Sequence, residues 1–362
     1  MTMYLYDDLK RELVVHAQQV ECPVMGCSQR VKRAARGWRP SPEYRCPEHG
    51  IYVTPTTFSF ERPPKQQPPR QNILWTDPSD QDLLTSILPA KRECRMHHEQ
   101  SEDAVTWSVF RGLDRAGLVG PMITELLQVA AHEAHIIWWS SAAHDPELKA
   151  TDRGVWSCLD DARRAFETRP AQGSEPDLMV LTNETLFIIE AKVGATNVVP
   201  CSKPEVVRDS YVHGVAGDDQ HFSRVFRSSF DEIAVDAKLY ELMRFWLLGT
   251  WMADHLERKF CLVSLLSRND RRECEGDARI PATTERFPQH VRFHDGQRFE
   301  LLIWEGIHDW CVTGASTSPE AGEVARYLAD KTAGYTTVKR DGTGTQRLRR
   351  AFAIMPSLPG TR

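Results

Sequence analysis

Short runs in which every position is apolar alternate along this chain with longer stretches in which apolar residues recur at helical spacing. Leu178–Leu181 and Leu186–Ile189 are two such runs, separated by the polar Thr182-Asn183-Glu184-Thr185, and they predict two buried strands joined by a turn. Upstream, residues 134–140 (Ala-His-Ile-Ile-Trp-Trp-Ser) predict a first strand, and residues 152–168 a helix before the hairpin. Ser101 is suited to an N-cap, with Val105, Val109 and Leu113 repeating at helical spacing behind it, so a helix is expected from Glu102. Downstream, residues 231–255 predict a long helix, 260–266 and 299–304 two strands, and 319–332 a closing helix. Residues 73–96 read as a bridging helical stretch. The pattern as a whole is mixed α/β.

The clearest interruption is Arg62-Pro-Pro-Lys-Gln-Gln-Pro-Pro-Arg-Gln71, whose prolines favour an extended segment over helix or core. It divides the chain into a small module over residues 1–61, a linker over 62–72 and a large domain over 73–362. At the far end, Lys339, Arg340, Arg347, Arg349 and Arg350 read as a charged, irregular terminal segment, contact with a DNA backbone being the alternative.

Charge changes the picture only locally. With 41% hydrophobic and 26% charged residues and a net charge of -5, the chain has the composition of a soluble globular protein, and its acidity argues against indiscriminate coating of nucleic acid. No apolar run is long enough to span a bilayer, and the first twenty residues are too charged for a signal peptide. Six of the nine cysteines, Cys94, Cys158, Cys201, Cys261, Cys274 and Cys311, are scattered, which fits a reducing compartment, and a cytoplasmic protein is expected.

The hairpin carries the candidate chemistry. If Leu181 pairs with Leu186, counting outward sets Asp177 opposite Glu190, and strand periodicity puts Lys192 on the same face as Glu190. Like charges directly opposite in an antiparallel pair repel unless something offsets them. A divalent cation does so, and phosphodiester hydrolysis needs one to neutralise developing charge and to activate water. The plainer alternative is a hairpin with a Glu/Lys pair on a solvated edge.

Pro176-Asp177 and Glu190-Ala191-Lys192 resemble the signature of the PD-(D/E)xK nuclease superfamily. The resemblance covers roughly residues 100–310 and implies a restriction-endonuclease-like core, an α-β-β-β-α-β mixed sheet flanked by helices. It implies catalytic Mg²⁺ or Mn²⁺ held by Asp177 and Glu190, with Lys192 assisting the water or the phosphate. The first core helix of that family often adds an acid, which makes Glu102 a candidate ligand; Glu102 is equally suited to the positive end of a helix dipole. Glu125 and Glu175 are weaker candidates. The resemblance further implies DNA as substrate, RNA being the open alternative, and a prokaryotic defence or restriction role with a defence-system partner protein. Cutting both strands with one site per chain calls for two protomers or two successive nicks, so a homodimer is expected. The rival expectation is a catalytically inactive nuclease fold that binds DNA or recruits a partner.

A second motif lies near the start. Cys22-Pro-Val-Met-Gly-Cys27 and Cys46-Pro-Glu-His49 form two short loops, each with two ligands, as in a tetrahedral structural Zn²⁺ site. They resemble a zinc ribbon, with Ile51–Thr54 as a ribbon strand. Between the loops Arg30, Lys32, Arg33, Arg36 and Arg39 form a basic run around Trp38 and are candidates for nucleic-acid contact.

Overall fold

A computed structural model describes residues 4–34, 39–54, 57–61, 63, 69–91, 94–139, 141, 154–170, 173–194, 197–217, 219–268, 282–314, 318–336 and 343–354. Along the chain the strands are β1 (Glu12–Val15), β2 (Gln19–Glu21), β3 (Arg30–Lys32), β4 (Tyr52–Val53), β5 (Phe58–Ser59), β6 (His135–Trp138), β7 (Leu178–Leu181), β8 (Thr185–Ala191), β9 (Lys259–Leu266), β10 (Gln297–Ile303), β11 (Thr332–Tyr335) and β12 (Gly344–Arg350). The α-helices are α1 (Pro78–Ile87), α2 (Glu102–Arg115), α3 (Val119–Leu127), α4 (Val155–Phe166), α5 (Pro204–His213), α6 (His221–Val225), α7 (Tyr240–Leu256), α8 (Ala282–Glu285), α9 (Trp304–Gly314) and α10 (Pro319–Asp330). No helix among the described residues is long and apolar enough to cross a membrane.

The chain divides into two compact units. The first comprises Met1–Thr85, Glu93–Ala116 and His308–Arg362, the second Ser86–Arg92 and Gly117–Ile307. This division follows other lines than the expected 1–61, 62–72 and 73–362. Its cause is visible in the sheet of the first unit, ordered β11-β12-β1-β2-β3. β12 lies between β11 and β1, pairing Leu13 with Gln346 and Val15 with Gly344, so the carboxyl end completes the sheet begun at the amino end. Arg347, Arg349 and Arg350 are therefore strand residues rather than an irregular tail: Arg347 Nε lies 3.3 Å from Glu12 Oε1 and the Arg349 guanidinium donates to Ala333 O at 3.3 Å. Lys339 and Arg340 lie outside the described residues.

Buried polar groups tie the same unit together. Glu99 accepts from Thr57 Oγ1 at 2.6 Å, from Thr332 Oγ1 at 2.7 Å and from the Gly334 N–H. Lys331 Nζ donates to Asn72 Oδ1 at 2.9 Å and to Glu99 O at 2.5 Å. Each partner satisfies groups whose burial alone would be costly.

The second unit is built on a sheet ordered β10-β9-β8-β7-β6. β6, β7 and β8 run antiparallel in succession; β9 then joins β8 in parallel, and β10 joins β9 in parallel. Parallel neighbours need a crossover, and the stretch between β8 and β9 supplies it with α5, α6, a π-turn at Glu232–Asp236 and α7. β7 and β8 are buried at every position, which is why they read as continuous apolar runs rather than as alternation. The apolar face of α7 packs on this sheet at close range. A Cβ on Gly249 would lie 2.2 Å from Phe260 Cζ and 3.1 Å from Ile188 Cδ1, so only glycine admits the helix at that distance.

Candidate functional site

The hairpin turn fixes the register. Thr182 N donates to Thr185 O at 3.0 Å, and the Thr182 hydroxyl accepts the Thr185 N–H at 3.0 Å. Leu181 then pairs with Leu186 and Leu178 with Ile189. The same count sets Asp177 opposite Glu190, as the sequence predicts, and Asp177 Oδ2 accepts the Ala191 N–H at 3.0 Å.

Glu190, near the end of β8, is 4% exposed. Its Oε1 accepts from Lys192 Nζ, while Oε2 is buried without a hydrogen-bond partner among the described residues. Burial first, and then the Asp177 charge, push the Glu190 carboxyl well above the usual carboxylate range, against the opposing pull of Lys192. Lys192 Nζ also lies 3.3 Å from Glu241 Oε2 on the first turn of α7. The Lys192 backbone is pinned on both sides, by its N–H to Leu265 O at 2.8 Å and by Trp304 Nε1 donating to its carbonyl at 3.0 Å. In the parallel register Glu190 is level with Ser264 of β9, whose hydroxyl accepts from the buried Asn197 Nδ2 at 2.6 Å.

On the Asp177 side stands Lys91, its Nζ 3.2 Å from Glu175 Oε1, 3.9 Å from Asp177 Oδ1 and 5.2 Å from the centre of the Trp139 ring. Trp139 follows β6 with a φ of 42°, a conformation costing a bulky residue about 1–3 kcal/mol and often stored where a site needs a fixed side chain. Sequence reasoning missed Lys91, Glu241 and Trp139 and ranked Glu175 low. No local pattern marks Lys91 or Glu241, which are separated from the hairpin by many residues.

Four carboxylates (Glu175, Asp177, Glu190 and Glu241) thus stand against two ammonium groups (Lys91 and Lys192). With all of them ionised the cluster has a formal charge of -2. Among the described residues these carboxylates do not converge as three or more ligand atoms on one point, so the cluster as it stands is an ion-paired one with an orphaned Glu190 Oε2. Glu102 opens α2 in the first unit, capped by Ser101, whose side chain accepts the Ala104 N–H at 3.2 Å. The cluster described above is formed by residues of the second unit alone. Glu125 is on α3, exposed.

Cys22, Cys27, Cys46 and His49 do come together, their ligand atoms lying within 4.8 Å of one another. Cys27 Sγ is 3.9 Å from Cys46 Sγ, and His49 Nδ1 is 3.7 Å from both Cys22 Sγ and Cys46 Sγ. A tetrahedron with Zn–S near ~2.3 Å and Zn–N near ~2.0 Å has edges of about 3.6–3.8 Å, so the cluster can hold a metal ion such as zinc. Both loops turn through glycines in the left-handed region, Gly26 at φ 75° and Gly50 at φ 71°. Tyr4 packs edge-on against the His49 ring, centroids 5.4 Å apart. Of the basic run, Arg30 and Lys32 are on β3, Lys32 Nζ pairs with Glu43 Oε2 at 2.8 Å, and Arg33 and Arg39 follow. Arg36 and Trp38 lie outside the described residues. Comparison of the chain with protein-family models, curated proteins and solved structures finds no match.

Proposed function

We propose that this protein is a metal-dependent nuclease of the PD-(D/E)xK type that hydrolyses DNA phosphodiester bonds. The observation that carries the reading is the pairing register, which sets Asp177 against a buried, half-satisfied Glu190 with Lys192 two residues on. The order of three antiparallel strands, helical crossover and parallel strand supports the same reading. Asp177 and Glu190 would hold Mg²⁺ or Mn²⁺, which when bound supplies charge neutralisation at the phosphate and a more acidic water. Glu190 would offer the ion Oε2, which has no hydrogen-bond partner among the described residues, while Oε1 accepts from Lys192. Lys192, whose backbone is anchored by Leu265 and Trp304, would offer its ammonium to a phosphate oxygen or to the attacking water once Glu190 is otherwise engaged. In this reading the Cys₃His cluster binds a structural zinc, the basic residues around β3 contact the nucleic-acid backbone, and the setting is prokaryotic defence.

The test is cleavage of supercoiled plasmid and of single-stranded DNA and RNA with Mg²⁺, with Mn²⁺ and without added metal. Cutting that requires metal and falls on the order of 100-fold or more in both Asp177→Ala and Lys192→Ala is the expected result. A second reading, a non-cleaving DNA-binding or partner-recruiting module, rests on the ion pairs by which Lys91 and Lys192 already engage the carboxylates. Metal binding without cleavage of any of these substrates would favour it.

A further inference from the structure

Residues that take no part in the acidic cluster line a cavity of about 330 Å³ in the second unit, among them Glu167, Arg169, Lys203, Ser210, Tyr211 and Arg244. Arg244 is the unusual member. Its guanidinium lies over the Tyr240 ring, 4.8 Å from the centroid, yet its Nε is buried with no hydrogen-bond partner among the described residues. A buried guanidinium donor left unpaired is costly. Glu167 is the one carboxylate in the lining, and its oxygens are already taken: they accept the Ser174 N–H at 2.9 and 3.1 Å, the Ser174 hydroxyl at 2.5 Å and the Tyr211 hydroxyl at 3.0 Å.

Arg169 and Lys203 are exposed at the cavity. Lys203 is also the N-cap position of α5, an end with proline in its first turn and no side-chain cap, so the positive end of a ten-residue helix adds to the field. Three cations against one carboxylate leave the lining with a formal charge of +2. A carboxylate ligand would answer half of it. A phosphate monoester carries up to two negative charges and three acceptor oxygens, and a guanidinium fork matches it bidentately.

We propose that this cavity binds a phosphate monoester, held by Arg244 and Lys203 at the N-terminus of α5, with Arg169 at the rim. The source is a free nucleotide or the 5′-phosphorylated end of a nucleic-acid strand, which share this chemistry. The proposal is independent of the nuclease reading, although α7 carries Arg244 one turn from Glu241, the contact of Lys192.

Calorimetric titration of the full, zinc-loaded chain without Mg²⁺ tests it, using deoxyadenosine 5′-monophosphate and a thymidine trinucleotide with and without its 5′-phosphate. The phosphorylated trinucleotide should bind at least about tenfold more tightly than the 5′-hydroxyl form, an advantage that weakens with salt. Equal affinity for the mononucleotide assigns the site to free nucleotides, weaker affinity to strand ends, and both uphold the site. Lys203→Glu and Arg169→Glu, exposed substitutions that leave the core intact, should each weaken phosphate binding about tenfold or more, Arg244→Gln should abolish it, and Asp177→Ala should keep it. Equal binding of the two trinucleotides, indifference to Lys203→Glu, or loss on Asp177→Ala would each overturn the proposal.

Discussion

His221 is a single buried imidazole through which acid reaches the second unit. It is 5% exposed, with Nε2 2.9 Å from Thr250 Oγ1 and Nδ1 2.5 Å from the Arg224 guanidinium. Burial first, and then the Arg224 charge, bring its pKa down to about 4 from an ordinary 6.5. The unfolded chain therefore binds a proton at a pH where the folded one does not. The stability that this neutral imidazole contributes is complete above about pH 6.5 and is lost as the pH falls toward 4. The loss is about 3 kcal/mol from this residue. Urea denaturation at pH 7 and at pH 4.5 should show His221→Gln losing less stability between the two than the natural chain; an identical loss in both would sink the assignment. At this scale the hairpin acids and Lys192 were legible, because a period of two turns a spacing into a face. Lys91 and Glu241 were not, since a side chain brought in by another element leaves no spacing to count.

Among elements, β12 shows how little a strand's own sequence can reveal. Of Gly344-Thr-Gln-Arg-Leu-Arg-Arg350 only Leu348 is apolar, so no periodicity separates it from a charged tail. It is a strand because β1 and β11 offer ladder hydrogen bonds on either side, and unpaired sheet edges are a liability that pairing removes. Ending the chain after Thr336 removes β12 and leaves β1 and β11 without their shared neighbour. That variant should lose β-sheet signal in circular dichroism and fail to retain zinc; a truncated protein that melts cooperatively and keeps its zinc would refute the role given to β12. By contrast β7, β8 and β9 were read closely, the predicted 260–266 strand appearing as Lys259–Leu266 and the 231–255 helix as a π-turn followed by α7. Their apolar runs are dense enough that burial dictates the structure from within the segment.

At the scale of the molecule the two units predict separate responses. The Cys₃His cluster belongs to the first unit, and binding to the folded state alone stabilises that state. On the proposal that the cluster holds zinc, chelation or Cys46→Ser should lower one calorimetric transition and spare the other, the surviving one belonging to the unit of the Asp177 hairpin; a uniform shift of both would show that the units unfold as one. The mixed α/β character, the hairpin register with its Asp177, Glu190 and Lys192, and the four Cys and His side chains that can hold a metal ion are all encoded within a few residues by periodicity or by ligand spacing. Tertiary packing alone makes residues 344–350 complete the sheet of residues 12–32, brings Lys91 and Glu241 to the acidic cluster, and leaves Arg244 Nε without a hydrogen-bond partner beside a cavity. Those are contacts between distant segments, and the free energy that selects them comes from what each segment buries against another.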